Sequence, residues 1–451
     1  MRKTFFLASV FSVMVVALTG AAFLAGQGRA RGGATSVENF WTPEGFKVEV
    51  AAKPEETGSI VAMTFDARGR PVISREKGPV VILEDRNRDG RYETFLTFTD
   101  EVKNCQGLCF VGDVLYAVGD GPQGTALYRI TDRDGDSRGD RVELVGKFKG
   151  RMGEHGPHAL FVGPEGLLYV VIGNHAGVAV TPDPLSPHRA YREDVLLPRY
   201  FDPNGHAREV RAPGATIFRL DFEGRNWQLV ASGYRNPYDA AFNLAGELFT
   251  FDADMEWDLG LPWFRPVRTH HVVPGGDYGW RTGSGKWPDY FPDSLPAMTD
   301  IGRGSPVGVE FYLHHVYPRK YHGSFLLGDW SRGRIYAGFL RRAGATYEEN
   351  IEDLVMGRPI NITDLEVGPD GFVYYTTGGR NTQGGLYRVS YNGPQGRADV
   401  PSEGIEAALA QPQPRSAWGR ARLGQLQKKL GPDWGAGLLA KVRDGEANAI
   451  D

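Results

Sequence analysis

The apolar positions of this chain fall into short alternating runs rather than helical stripes. Between residues 60 and 392 one unit recurs: an apolar pair, a glycine-containing turn, then an alternating apolar strand. It reads "TFDARGRPVISRE", "CFVGDVLYAVGDG", "FVGPEGLLYVVIGN", "AFNLAGELFTFDAD", "YHGSFLLGDW" and "EVGPDGFVYYTTGG", the fifth copy being the least regular. A further strand candidate follows each copy: "VVILED", "ALYRITD", "TIFRLDFEG", "THHVVPGGDYGW", "RIYAGFL" and "GLYRVSY". Strands that recur with turn signals and no intervening amphipathic helix indicate an antiparallel β repeat. Units this thin cannot bury their own faces and must stack, which fits propeller blades around a central channel. The pattern therefore predicts an all-β chain, a six-bladed β-propeller with a short C-terminal α-helical extension. "GFKVEVAA", residues 45–52, lies ahead of the first copy and is placed to close the ring against the last blade.

The pattern breaks in four places. Residues 177–213 and the tryptophan-bearing residues 253–310 interrupt the repeat as long loops, which are expected to build a rim over one channel mouth. After "RVSYNG" the spacing turns helical, with Trp418, Leu423 and Leu426 on one side and a Pro-Gln-Pro hinge before them. This reads as a helix pair packed on the propeller or leading away from it. Residues 1–30 carry Arg2 and Lys3 ahead of a long apolar run, the mark of a secretory signal or an N-terminal membrane anchor. Basic residues before such a run keep that end inside and send the rest across, so export is expected, to the periplasm or to the outer face of a membrane. The division that follows is 1–30 signal or anchor, 38–394 propeller and 395–451 helical tail.

Composition supports this picture and narrows the partners. The 60 glycines, 29 prolines and 12% aromatic residues among 451 suit a β protein with many tight turns. A formal net charge of -4 offers no electrostatic case for nucleic acid. Cys105 and Cys109, the two cysteines, would sit roughly 13 Å apart on one extended strand, too far for a disulfide. A bridge would need a bend at Gln106-Gly107; otherwise they are two small buried hydrophobes.

Three acidic stretches space their oxygens as a hard cation requires. "DRNRDGRYE" has Asp85, Asn87, Asp89 and Glu93 at alternate or near-alternate positions, and "DRDGDSRGDRVE" has Asp132, Asp134, Asp136, Asp140 and Glu143. Both resemble Ca²⁺ loops of the EF-hand kind, with a structural role; a polar hairpin turn is the alternative for each. "FDADMEWD" puts Asp252, Asp254, Glu256 and Asp258 on one face of an extended segment, calling for a cation or for a salt-bridged rim with Arg265 and Arg268.

"GEHGPHALFVGPEGLLYVVIGNHAG" carries imidazoles at both ends of one hairpin unit, so His155, His158 and the Asn174-His175 pair return to the same mouth. An imidazole there can accept a proton near neutral pH. "GYRNPYDAAF" brings Arg235 and Asn236 to that mouth as a fixed cation and an amide. The set suits oxidation of an alcohol or cleavage of an ester; a capping histidine and a buried arginine pairing carboxylates is the bland alternative.

"EHGPHALFVGPEGLLYVVIGN", "GYRNPYDAAFNLAGEL", "GGDYGW" and "VGPDGFVYYTTGGRNTQGGLYRV", in this order, resemble the soluble quinoprotein sugar dehydrogenases. Those are six-bladed propellers holding pyrroloquinoline quinone (PQQ) and Ca²⁺ at one channel mouth. The chain is similar, more closely, to the sorbosone-dehydrogenase-like, membrane-bound-dehydrogenase domain proteins, over about residues 40–392, and its tail resembles the start of HEAT-type repeats. The resemblance implies that His155 is the general base and Asn174 its orienting partner, where the family has a carboxylate. It implies that Arg235 and Asn236 polarise the quinone carbonyls, that Gln106 lies beside the substrate, and that the segment around Asp254 is the calcium loop. The family clamps the cofactor carboxylates with a lysine and two arginines. This chain has Ser331, Asn361 and Thr363 there, leaving Arg332 and Arg380 as neighbouring substitutes. There is no CxxCH haem motif, so electrons would pass to a separate acceptor. The implied activity is PQQ-dependent oxidation of a sugar, sugar aldehyde or related alcohol. A calcium-dependent lactonase-like hydrolase and a non-catalytic glycan- or protein-binding propeller are the alternatives.

Overall fold

The computed structural model describes residues 39–189, 191, 193, 207, 209–253, 265–357, 360–394 and 401–443. The repeat forms six antiparallel sheets of four or five strands. The first strands of the six blades are Ile60–Phe65, Lys103–Val111, Pro157–Val162, Pro237–Phe242, Pro306–Tyr312 and Ile362–Val367. Each packs against the first strand of the next blade, and the sixth returns to the first, so together they line a central channel. Second strands such as Leu168–Ile172 and Val373–Thr377 are buried along their whole length, sandwiched between neighbouring blades. That explains why they read as continuous apolar runs rather than strict alternation.

The glycine noted in every copy has one structural task. Gly69, Gly112, Gly166, Gly246, Gly323 and Gly371 sit in the turn between first and second strands with φ of 81, 60, 77, 75, 77 and 84°. A side chain is strained there, and glycine is not. The ring closes as the sequence predicts: Phe46–Ala52 pairs antiparallel with Gly385–Tyr391, setting Phe46 opposite Tyr391 and Val48 opposite Val389.

A second repeated device was not legible in the sequence. Each first strand starts with a register shift against its second strand, between Ile60 and Ala62, Lys103 and Gly107, Pro157 and Leu160, Pro237 and Ala240, Pro306 and Val309, and Ile362 and Asp364. Such bulges turn side chains out of the ladder. Here six of them encircle one mouth.

Among the described residues the tail contains three helices rather than a pair: Gly404–Leu409, Ala417–Leu430 and Asp433–Arg443. Ser416 caps the second, its Oγ accepting the Gly419 N–H at 3.0 Å. Trp418 buries itself against Met63, Phe65 and Tyr374 of the propeller, whereas Leu423 and Leu426 pack with Ala407 and Ala408 of the tail. The tail is thus docked on the ring. Part of the tryptophan-bearing insertion joins the ring. It supplies the outer strands Val267–Val272 and Thr299–Gly302 of blade four, and Trp280 and Trp287 are buried, the latter 3.8 Å from the Arg281 guanidinium. Cys105 and Cys109 are free and buried thiols. Among the described residues no helix is long and apolar enough to cross a membrane. The leader at 1–30 lies outside the described residues.

Candidate active site

The bulged ends of the first strands floor a cavity of about 380 Å³ at one channel mouth. Val61, Gln106, Tyr238, Val307 and Thr363, all within the shifted segments, line it from five blades. His155, Arg235, Asn236, Trp330 and Arg380 form its walls.

His155 stands on the loop before blade three's first strand and is 3% exposed. Its Nδ1 lies 2.6 Å from Oδ1 of Asn174, and its ring stacks on His175 at 4.5 Å. An amide oxygen only accepts, so Nδ1 carries the proton and Nε2 is the basic nitrogen of the neutral ring. Asn174, just after the second strand, is itself placed by its N–H to the Arg235 carbonyl at 3.1 Å. The sequence-derived pairing of His155 with Asn174 is therefore present in the geometry.

Arg235 and Asn236 are held by a residue expected to do something else. Asp252, 2% exposed, accepts the Arg235 N–H at 2.9 Å and the Asn236 N–H at 2.8 Å. Its carboxylate thus caps the turn that carries Arg235 and Asn236. Asp254, Glu256 and Asp258, the rest of that acidic run, lie outside the described residues. Arg235 Nη1 donates to the Ala253 carbonyl at 2.9 Å. Arg265 and Arg268, offered as rim partners for that run, pair with Asp289, and Arg268 also with Asp300.

Asn236 is fixed at three atoms: besides its backbone N–H, its Nδ2 donates to the Glu154 carbonyl at 3.1 Å, and its Oδ1 accepts from His158 Nε2 at 3.0 Å. His158 is fully buried and stacks on Tyr238 at 3.8 Å. Burial lowers its pKa to about 4, outweighing the hydrogen bonds to Asn236 and the Glu154 backbone that favour the charged form. It is a neutral buttress behind the cavity wall.

The cations come from partly unexpected places. Arg380 (φ 51°) lines the cavity, ion-pairs with Glu154 across the mouth and lies 5.1 Å from the Trp330 ring. Lys77, which the sequence did not single out, also lines it; its φ of 56° and the Asn104 Oδ1 that accepts its N–H turn it inward from blade one. Arg332 is exposed and absent from the lining, with its N–H bonded to Asp329, so its cofactor role is not supported. Of the clamp positions, Thr363 lines the cavity and Ser331 and Asn361 do not.

Elsewhere, one oxygen each of Asp132, Asp134 and Asp136 falls within 4.8 Å of the others, the arrangement a cation could join. Asp140 instead accepts the Arg133 N–H, and Glu143 pairs with Arg129 and Arg141, so neither reaches that cluster. In the first loop Asp85 accepts the N–H groups of Asp89 and Gly90, and Asn87 that of Asp89. Asp85, Asn87 and Asp89 thus form a turn bonded to its own backbone, as Asp132, Asp134 and Asp136 also do.

Residues 33–195 match a family described as a domain of unknown function (DUF7133). A comparison with curated proteins finds no match. Solved structures share the fold. A putative oxidoreductase (glucose dehydrogenase) from Thermus thermophilus superposes with a TM-score of 0.56 at 20% identity, over 77% of this chain and 100% of its own. A PQQ-bound aldose sugar dehydrogenase from Streptomyces coelicolor gives 0.53 at 14%, over 78% and 100%. The holo PQQ domain of a pyranose dehydrogenase from Coprinopsis cinerea gives 0.54 at 10%, over 78% and 97%. The chain is thus a six-bladed β-propeller of the architecture that these sugar dehydrogenases share.

Proposed function

We propose that this chain is a quinoprotein-type dehydrogenase that oxidises a sugar, sugar aldehyde or related alcohol. The observation that carries the reading is the convergence of the His155–Asn174 pair with Arg235 and Asn236 on one cavity at a propeller mouth. In this reading Nε2 of His155 takes the substrate hydroxyl proton, while Asn174 keeps Nδ1–H oriented. Asn174 contributes no charge against the imidazolium that forms, unlike a carboxylate. Arg235 and Asn236 present donors to an acceptor's carbonyl oxygens, where a fixed positive charge stabilises developing anion.

PQQ fits the lining. It is an aromatic tricarboxylate quinone, and when bound it supplies the hydride acceptor. Lys77, Arg235 and Arg380 give its carboxylates three cations, and Trp330 and Tyr238 offer ring faces. Arg380 would exchange its Glu154 partner for a cofactor carboxylate. Structural Ca²⁺ at Asp132, Asp134 and Asp136, export through the 1–30 segment and a separate electron acceptor belong to the same proposal. Among the described residues the cavity's acids are Glu76 and Glu154, bonded to Ser59 and Arg380.

The test is reconstitution. Purified protein incubated with PQQ and Ca²⁺ should show a bound-quinone spectrum and reduce a dye with some member of a sugar panel. His155→Ala should keep the spectrum and lose turnover ~10²–10⁴-fold, the usual share of a general base. Failure to bind PQQ at micromolar concentration overturns the reading.

A further inference from the structure

Below the cavity the channel widens into a second chamber of about 110 Å³. Val61, Gln106, Tyr238 and Thr363 border both spaces and form the constriction between them. The chamber holds four carboxyls, Asp239, Glu310, Asp364 and Glu366, from the first strands of blades four, five and six. At its far end Gln413, Arg415, Ser416, Ala417 and Arg420 of the tail join the strand ends Phe110, Phe242 and Leu313 in its lining.

These residues clasp the ends of first strands all round the ring. Gln413 exchanges bonds with the backbone of Leu313 in blade five, its Oε1 accepting at 2.5 Å and its N–H donating at 3.3 Å. Arg415 donates to the Asn243 carbonyl of blade four at 2.7 Å. Arg420 donates to the Phe110 carbonyl of blade two. Trp418 donates to the Val367 carbonyl of blade six at 3.3 Å while its ring packs on Met63 and Phe65 of blade one. Five blades are thus bridged by one short stretch of chain, and two guanidiniums are set at the edge of an acidic chamber.

We infer that residues 411–420 are a stopper that seals the second channel mouth, leaving the chamber to exchange with solvent only through the His155 cavity. The propeller is then a single-mouthed vessel: whatever reaches the constriction enters and leaves on the His155 side. This holds whether or not the chain is a dehydrogenase.

A built-in reporter tests it. Cys109 lines the chamber beside Arg420, which contributes both a charge and a side-chain hydrogen bond to it, whereas Cys105 is buried within blade two away from the chamber. The full-length protein is treated with methyl methanethiosulfonate, and each cysteine is followed by peptide mass mapping. Gln413→Ala/Arg415→Ala, which leaves Arg420 and its charge beside Cys109 in place, should speed modification of Cys109 at least tenfold while Cys105 stays as slow as in the wild type. Should the double variant lose cooperative melting, Arg415→Ala alone should give the same selectivity at a smaller gain. Equal rates for Cys109 in wild type and variant overturn the stopper. So does parallel acceleration of both cysteines, which would make the tail a general brace instead of a seal.

Discussion

His158 shows what a side chain can do without touching the cavity. Its imidazole is enclosed by protein, and burial holds its pKa down at about 4. In the unfolded chain the group titrates near 6.5. As pH falls below about 6.5 the unfolded chain takes up a proton that the native chain refuses until about 4, so stability falls through that window. Burial lowers His188, His270 and His322 as well, with the same sign. His158→Gln should therefore lose stability at pH 7, where a fitted buttress is gone, yet decline less than the wild type towards pH 4.5. Urea midpoints at pH 7, 5.5 and 4.5 check this; parallel pH profiles would show that His158 does not carry the effect. His155 was legible because its partner Asn174 ends the same hairpin unit. The bond from His158 to Asn236 spans 78 residues and a blade boundary. Lys77 was hidden for another reason, since its inward turn depends on a left-handed backbone that no hydrophobic pattern reports.

At the scale of elements, periodicity and glycine spacing carried the architecture because both follow from local backbone physics. The closure strand was legible on the same grounds, as an alternating run outside the six copies. The bulges were not, since one or two extra residues at the head of a strand leave its apolar alternation nearly intact. They nevertheless decide which residues reach the cavity: Gln106, Tyr238 and Thr363 all come from shifted segments. The closure strand makes its own prediction. Phe46 contacts Tyr317, Tyr321 and Tyr391 with ring centroids 4.8, 5.1 and 4.7 Å away. Phe46→Ala should cost ~3–5 kcal/mol, the usual loss for a buried phenylalanine. It should also loosen blade six first. Hydrogen exchange would then rise in Gly385–Tyr391 before it rises in Leu168–Ile172. Uniform exchange across all blades would mean that the strand is not the ring's weakest closure.

The whole molecule combines two opposed pH responses. The chamber carboxyls are partly buried and line the channel. Burial raises Glu310 to about 8, with the neighbouring Asp239 adding to the rise and the Phe311 N–H and Arg415 opposing it. Burial likewise raises Asp239 to about 7, and Asp364 and Glu366 lie well above their ordinary range. A carboxyl whose folded pKa exceeds its unfolded value leaves stability intact below the unfolded value and lowers it as pH climbs through the folded one. For Glu310 that window runs from about 4.5 to 8. The histidines act from about 6.5 downward, so between about 4.5 and 6.5 the two effects offset, and above that the carboxyls act alone. Glu310→Gln should therefore raise the melting temperature by a few degrees at pH 8.5, by less at pH 6.5, and scarcely at pH 5. The comparison needs the tail in place, because Arg415 lies against this chamber and an open mouth would hydrate the carboxyls and erase the dependence. A pH-independent difference across that range would mean that Glu310 does not titrate there in the fold, and a loss at pH 8.5 would mean that the Arg415 charge outweighs its burial.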